Sequence, residues 1–177
     1  GGIDTEWRPL RQVLLRRPGP ELITNDVNAA QQFEALDLAQ AQEEHDQMAA
    51  RFAAEGVDVL TVPDVPHPTP NRMFCADLFA MTPQGAILAR PASTVRAGEE
   101  VAVAQALASA GVPILRTLTG TATFEGADLM WLTPTHAIIG RGLRTNQTAI
   151  DQIRTLFDEL GLTLTAVDMP FGTMHLM

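Results

Sequence analysis

Three acidic side chains and one histidine stand at related positions of this sequence. Asp77 and Asp128 occupy the same position of an internal repeat with a period of 51 residues, and Glu125 stands where the earlier copy has Phe74. One further repeat step from Glu125 leads to position 176, beside His175. Repeats arranged round an axis bring equivalent positions together, so we expect Glu125 and His175 to approach each other. Paired carboxylates suit a guanidinium, whose planar N–H fork stays charged.

Each acidic residue also has a structural interpretation. Asp77 and Asp128 recur at one repeat position, where an aspartate can cap a turn, and this interpretation is favoured for Asp128. Glu125 departs from its counterpart Phe74, which favours a functional role. His175 comes just before an apolar stretch that predicts another strand.

Two arginines and one cysteine are further candidates. Arg96 and Arg144 precede predicted helices, where the helix dipole disfavours a cation, so they predict a tertiary partner such as a substrate carboxylate. The alternative is that both are solvated. Cys75 lies in an apolar setting with no base adjacent in sequence, which favours a buried, inert thiol. The alternative is the nucleophile of an unrelated small hydrolase.

Composition and missing motifs narrow the class of protein. The 177 residues contain 12 Lys and Arg against 21 Asp and Glu, a net charge of −9. Nucleic acid and anionic membranes are therefore disfavoured partners, whereas a small cation fits the sign. No histidine pair has a metal-ligand spacing and no P-loop or G-x-G-x-x-G occurs, so the sequence predicts neither a metal nor a cofactor. No signal peptide is recognised, which predicts a cytoplasmic protein, and a homodimer is compatible with the sequence.

The repeat predicts two β-hairpins. Residues 77–83 read Asp-Leu-Phe-Ala-Met-Thr-Pro, and residues 128–134 read Asp-Leu-Met-Trp-Leu-Thr-Pro. A second apolar run follows each Thr-Pro turn, at 86–88 and at 137–139.

Helical spacing of apolar residues follows both hairpins, and a longer helix precedes them. The predicted apolar faces are Val101, Ala104, Leu107 and Ala108 in one copy, Ile150, Ile153, Phe157 and Leu160 in the other, and Phe33, Leu36, Ala41, His45, Met48 and Phe52 in a helix over 28–55. Gly56, Gly111 and Gly161 predict left-handed caps, each leading into a strand, at 57–62, 112–115 and 162–167. The fold class is therefore α/β, with about three modules and, at 174–177, the start of another strand.

Several short motifs together resemble the pentein, or amidinotransferase/arginine deiminase, superfamily, and most closely the dimethylarginine dimethylaminohydrolases. They are Pro70-Asn71-Arg72-Met73-Phe74-Cys75-Ala76-Asp77, Arg90-Pro91 with Arg96-Ala97-Gly98-Glu99, Phe124-Glu125-Gly126-Ala127-Asp128, Gly140 with Arg144-Thr145-Asn146, and His175-Leu176. Two positions depart from the family pattern: Ala76 stands where Glu is frequent, and Met177 where Lys or Asp is frequent.

The resemblance implies an α/β propeller of five ββαβ modules with its active site on the axis. Residues 1–177 would form an incomplete N-terminal part of one such catalytic domain, with about three of the five modules. The implied activity is hydrolysis of a guanidino C–N bond, yielding citrulline and an amine, through a Cys-His-Glu mechanism whose cysteine has no counterpart here. Arginine deiminase, amidinotransferase and a non-catalytic binding scaffold of the same fold are the alternatives.

The resemblance also implies residue roles. Glu125 and His175 would be catalytic, with His175 as the general acid/base. Asp77 and Asn71 would contact a small cationic guanidino substrate, and Arg96 and Arg144 would bind its amino-acid carboxylate.

Overall fold

A computed structural model describes residues 2–177 of the chain. The helices and strands, in chain order, are β1 (Gln12–Leu15), α1 (Leu38–Ala54), β2 (Asp58–Thr61), β3 (Phe79–Met81), β4 (Ala86–Leu88), α2 (Glu99–Ser109), β5 (Ile114–Thr117), β6 (Leu129–Thr133), β7 (His136–Arg141), α3 (Gln147–Glu159) and β8 (Thr163–Asp168). Short 3-10 turns lie between them, three of which carry site residues.

Within these described residues the strands form three small sheets, one for each repeat unit. In two units an antiparallel hairpin, β3–β4 or β6–β7, is extended by a parallel strand, β5 or β8, after a crossover helix. The first unit has β1 and β2 in parallel, joined by α1. The predicted α/β class, the two hairpins and the helix after each of them are confirmed.

Local chemistry explains where these elements turn and end. In the first hairpin the Thr82 hydroxyl accepts from the backbone N–H groups of Gln84 and Gly85 at 3.3 and 3.2 Å, which closes the Thr-Pro turn. After α1 and α3, Gly56 and Gly161 adopt φ angles of 78° and 69°, as their predicted left-handed caps require.

The best-packed part of the core lies under α3. Ile150, Ile153 and Phe157 are completely buried against the β6–β7–β8 sheet, as their spacing predicted. The Phe157 ring stacks on Trp131 with centroids 5.7 Å apart. The indole N–H of Trp131 donates to the carbonyl oxygen of Met81 at 3.1 Å, so it also ties the third unit to the second.

The predicted long helix over 28–55 was wrong in extent and in burial. The helix begins only at Leu38, after the Asp37 side chain caps it by accepting from the Gln40 N–H at 2.9 Å. In the described part of the chain, every side chain of α1 is at least partly accessible to solvent. Phe33 lies outside the helix and is fully exposed. The two-stranded β1–β2 sheet offers α1 too little surface to bury the predicted face.

Two smaller predictions were also wrong. In α2 the buried face contains Ala102, Val103 and Leu107, while Val101 is 53% exposed. Because α2 is apolar on most sides, spacing alone could not orient it. Residues 174–177 form no strand within the described chain; instead, they run beside the loop that carries Glu125.

Candidate active site

Two equivalent 3-10 turns, one from each hairpin unit, place the acidic residues side by side. They span Cys75–Asp77 and Gly126–Asp128. A Cβ at Gly126 would lie 2.0 Å from the carbonyl oxygen of Phe79 and 2.6 Å from that of Ala76, closer than any side chain allows. Only glycine lets the two turns approach this closely. The approach brings Asp77 and Glu125 to one place.

The C-terminal segment adds the histidine to these two turns. The backbone N–H of Leu176 donates to Asp128 Oδ1 at 3.1 Å, and that of Met177 donates to the Ala127 carbonyl at 3.1 Å. His175 Nε2 then lies 3.4 Å from Glu125 Oε2 and 3.5 Å from Asp77 Oδ1. The predicted approach of Glu125 and His175 is therefore observed in the structure, whereas their catalytic roles stay predictions.

Asp128 has a larger part in this arrangement than the sequence indicated. It is 2% exposed, and its Oδ1 lies 3.6 Å from His175 Nδ1. Its Oδ2 accepts from the Thr145 hydroxyl at 2.5 Å. The residue favoured as a turn cap therefore faces the second nitrogen of the imidazole. The repeat showed that Asp128 and Asp77 occupy equivalent positions, but it did not predict the approach of Asp128 to His175.

The carboxylates raise the pKa of His175 above its usual value. The interaction of the ring with Asp128 contributes most, and the negative charges of Asp77 and Glu125 add to it, while partial burial opposes them. The imidazolium is therefore stabilised. A protonated histidine between carboxylates is a suitable proton donor to a leaving amine.

Glu125 is the most deeply buried acid of the site. It is 1% exposed, and desolvation raises the pKa of its carboxyl group. Three groups counteract this: Arg144, whose Nη1 lies 3.6 Å from Oε1, the Ala92 N–H, which donates to Oε1 at 3.2 Å, and the positive charge of Arg96. A backbone bridge between Arg90 and Phe124 fixes the approach of the Glu125 loop to Ala92.

Arg96 is buried in an ion-pair cluster with two carboxylates. Its Nη1 donates to Asp77 Oδ2 at 2.5 Å and its Nε to Glu99 Oε2 at 2.8 Å. Its Nη2 donates to the carbonyl oxygen of Phe74 at 3.0 Å. Binding of a substrate carboxylate by Arg96 stays a prediction, and a substrate would have to share these bonds. The pairing with Glu99, three residues along, is a further feature that sequence analysis missed, although i, i+3 spacing of opposite charges was its available signal.

Arg144 lies at an open cavity next to the carboxylate cluster. The cavity, of about 350 Å³, is lined by Gln31, Ala92, Ser93, Leu143 and Arg144. Since Arg144 also approaches Glu125, the cavity adjoins the His175 centre. Its role towards a substrate carboxylate stays a prediction.

Asn71, the remaining predicted substrate contact, is 6% exposed and donates from Nδ2 to the Ala30 carbonyl oxygen at 2.7 Å. The donor group of its amide is therefore directed at the segment after β1. A role in contacting substrate stays a prediction.

Cys75 lies next to the site but is unsuited to attack a substrate. It is 6% exposed, and desolvation raises the pKa of its thiol to about 11. The reactive thiolate is therefore scarce at neutral pH. The structure supports the interpretation of Cys75 as a buried, inert thiol.

One donor group of each of Asp77, Glu125 and His175 lies within 4.8 Å of the other two, a distance that a cation could bridge. The repeat had predicted that Glu125 and His175 meet, but no metal-ligand spacing indicated the full set, because its members come from three separate loops. Two carboxylates and an imidazole at this separation suit a divalent ion or an organic cation.

Among the helices of residues 2–177, none combines the length and the hydropathy that crossing a bilayer demands.

Comparison with known proteins gives a consistent family assignment. A family model described as eukaryotic N,N dimethylarginine dimethylhydrolase matches residues 23–176. The N(G),N(G)-dimethylarginine dimethylaminohydrolase of Streptomyces coelicolor is 30% identical over 159 residues, which cover 90% of this chain and 60% of that protein. An arginine deiminase of Rhodococcus erythropolis is 45% identical over 67 residues, or 36% of this chain and 16% of that protein.

The fold agrees with this assignment. Dimethylarginine dimethylaminohydrolase from Pseudomonas aeruginosa, solved as a cysteine-to-serine mutant with citrulline, superposes with a TM-score of 0.78 at 24% identity. The superposition covers 94% of this chain and 64% of that one, so the chain spans less than two thirds of the relatives it matches. With a family model matched over most of its length, the chain belongs to the N,N-dimethylarginine dimethylhydrolase family of the pentein superfamily, as its motifs predicted.

Proposed function

We propose that the chain binds an arginine-type guanidino compound and supplies the carboxylates and the acid/base for hydrolysis of a guanidinium C–N bond. The observation that carries the proposal is the convergence of Asp77 and Glu125 on Nε2 of His175, at 3.5 and 3.4 Å. Two anions and a proton donor thus surround one point. A planar cation placed there can pair with both carboxylates while its nitrogen faces the imidazole.

The chain's own arginines support the match between these carboxylates and a guanidinium. Asp77 accepts from Arg96, and Glu125 lies 3.6 Å from Arg144. An ionised carboxylate has about four lone-pair positions, so each of these acids retains acceptor capacity for a second guanidinium.

In the proposed reaction a thiolate attacks the guanidinium carbon and forms a tetrahedral adduct. His175 donates its proton to the leaving amine as the C–N bond breaks, which leaves an amidino thioether. The neutral imidazole then takes a proton from water, and the resulting hydroxide adds to the same carbon. Collapse of this second adduct expels the thiolate, the hydroxyl proton passes to solvent, and a urea group remains, which for a dimethylarginine substrate gives citrulline. Asp128 faces Nδ1 of the ring at 3.6 Å, in the position that the third member of a triad takes towards its base.

The thiolate in this proposal comes from polypeptide outside residues 1–177, because burial and a raised pKa disqualify Cys75. Residues 1–177 are then the first part of a larger catalytic domain, a propeller of five units of which they supply about three. The 60% share of the Streptomyces coelicolor relative supports this division.

Arginine deimination is a second candidate. It is favoured by the identity of 45% to the Rhodococcus erythropolis arginine deiminase over 67 residues. The identity to the Streptomyces coelicolor dimethylarginine enzyme is lower, at 30% over 159 residues. The two reactions differ in the amine released, which is dimethylamine from asymmetric dimethylarginine and ammonia from arginine. The affinity of the chain for arginine relative to asymmetric dimethylarginine distinguishes the two reactions.

Isothermal titration calorimetry with L-arginine and with asymmetric dimethylarginine tests the proposed function. We expect binding by the unaltered chain and roughly 10–100-fold weaker binding by Asp77→Asn, the loss typical of a charged hydrogen bond. The matched control is Asp151→Asn, which removes a carboxylate on the exposed side of α3. Failure of the unaltered chain to bind either ligand contradicts the proposal.

An assay of turnover by the 177-residue chain distinguishes the proposed mechanism from catalysis by Cys75. The 177-residue chain alone should release neither dimethylamine nor ammonia, because its site lacks a thiolate. Release that disappears in Cys75→Ser would instead identify Cys75 as the nucleophile and overturn this mechanism.

A further inference from the structure

The side chain of Asn71 holds a neighbouring segment of backbone. Its Nδ2 donates to the carbonyl oxygen of Ala30 at 2.7 Å, and both residues are more than nine-tenths buried. The Asn71 backbone oxygen accepts from the Phe74 N–H at 3.1 Å and from Arg96 Nη2 at 3.4 Å. Asn71 is thus fixed on one side to the Asp77 loop and on the other to the segment that contains Ala30.

That segment, residues 26–32, is a compact set of turns. The Asp26 carboxylate accepts from the Ala29 N–H at 2.9 Å, and the Gln32 N–H donates to the Val27 carbonyl at 2.8 Å. Gln31 adopts a φ of 58°, in the left-handed region that disfavours a side chain. Ala30, whose carbonyl Asn71 holds, is the residue directly before it. The Asn71 bond therefore acts at the position that sets the direction of Gln31.

Gln31 lies at the cavity beside the catalytic centre. It shares the lining with Ser93, Leu143 and Arg144. Arg144 lies 3.6 Å from Glu125, so a substrate whose guanidinium occupies the carboxylate cluster would extend its other end into this cavity. A glutamine amide offers both a donor and an acceptor there. These groups suit an α-carboxylate and an α-ammonium, respectively.

We propose that Asn71 is a positioning residue, which anchors segment 26–32 at the cavity, and that Gln31 is the specificity-determining residue for the amino-acid end of the substrate. The role of Gln31 rests on the proposed guanidino function. The role of Asn71 concerns only the conformation of the chain.

The chemistry of the Asn71 contact explains why an amide is needed. An N–H donor faces the carbonyl oxygen of Ala30. An aspartate of the same shape would present an oxygen to that carbonyl, so a hydrogen bond would become a repulsion, and a buried charge would be left without a partner.

Hydrogen–deuterium exchange tests the anchor. In Asn71→Asp we expect the bonded amides of residues 30–32 to exchange about tenfold faster or more, the effect of losing one buried hydrogen bond and adding a repulsion. The matched control is Gln42→Glu, which alters another amide-to-carbonyl bond, from Gln42 Nε2 to Pro18 at 2.8 Å. It should leave residues 30–32 unchanged. Equal acceleration in both variants, or none in Asn71→Asp, overturns the anchor.

Ligand binding tests the role of Gln31. Gln31→Gly should preserve the fold, since glycine adopts a φ of 58° without strain. We expect it to weaken L-arginine binding by about fivefold or more, the effect of one hydrogen bond, and to leave methylguanidine binding unchanged because that ligand has no amino-acid end. Asn71→Asp should also weaken L-arginine binding, because Gln31 would lose its anchored position. Equal weakening of both ligands, or of neither, overturns the role of Gln31.

The two failures remain distinguishable. If the unaltered chain binds neither L-arginine nor methylguanidine, the proposed function fails, and the Gln31 role fails with it. The exchange experiment needs no ligand and still decides whether Asn71 anchors residues 26–32.

Discussion

Both ring nitrogens of His175 lie close to carboxylate groups. Asp128 faces Nδ1 at 3.6 Å, while Asp77 and Glu125 face Nε2. All three carboxylates stabilise the imidazolium form and raise its pKa, and Asp128 contributes most. His175 therefore retains its proton to a higher pH than an unperturbed histidine does.

Replacing Asp128 should release much of this effect. In Asp128→Asn we expect the pKa of His175 to fall, as loss of a nearby opposite charge predicts. An NMR titration of the histidine ring resonances measures it directly.

The exposed Asp151→Asn provides the comparison, because that carboxylate lies on the surface, where it contacts Arg154 and Gln147. A His175 pKa that is the same in both variants would show that Asp128 does not control the ring.

Cation binding should depend on pH through the same residue. Below the raised pKa of His175 the ring is positively charged and repels a guanidinium; as the pH rises through that pKa, the proton leaves and affinity increases. Ionisation of Glu125, whose pKa is also raised, acts in the same direction. Calorimetry across pH 5–9 should therefore show L-arginine binding more tightly as pH rises.

The neutral ligand citrulline and the variant His175→Gln are the controls for this pH dependence. Citrulline should show a weaker dependence, and His175→Gln should flatten that of arginine. Tighter arginine binding at low pH would contradict this interpretation.

At the scale of the element, the helices differ in how much of the fold depends on them. Ile153 of α3 is completely buried, whereas Met48 of α1 is 44% exposed. We expect Ile153→Ala to lower the free energy of unfolding by about 2–5 kcal/mol through lost burial and a cavity. Met48→Ala should change it by about 0.5 kcal/mol or less, as for a surface substitution. Urea denaturation followed by circular dichroism measures both.

Similar losses in the two variants would mean that α1 is packed as α3 is, contrary to the structure.

The difference in burial between α1 and α3 could not be predicted from the sequence. Apolar spacing in α3 and in the predicted long helix looked alike, but burial depends on the sheet beneath. That sheet has three strands under α3 and two beside α1.

Signals carried by short stretches of sequence were reliable at this scale. The Thr-Pro turns and the cap glycines act through local backbone chemistry, so the hairpins and helix ends could be predicted. The start of α1 was missed although Asp37 is a residue type that favours an N-cap; the turns before it end in a left-handed Gln31, which no sequence rule assigns to glutamine.

For the molecule as a whole, the site is assembled from three separate parts of the chain. The repeat predicted that Glu125 and His175 meet, since equivalent loops converge. It did not predict that Asp128 faces Nδ1 or that Arg96 pairs with Asp77. Those contacts depend on which oppositely charged groups meet across units, a choice that spacing along the chain does not encode.

The proposed function depends most on the carboxylate cluster around His175 being the place where a guanidinium binds. Titration of asymmetric dimethylarginine into the chain, followed by the NMR ring resonances of its four histidines, measures this most directly. We expect the His175 resonances to shift on saturation, those of His45 and His136 to stay in place, and the His175 shift to be lost in Glu125→Gln. Binding that leaves His175 unshifted, or a shift that persists unchanged in Glu125→Gln, would show that the guanidinium binds elsewhere.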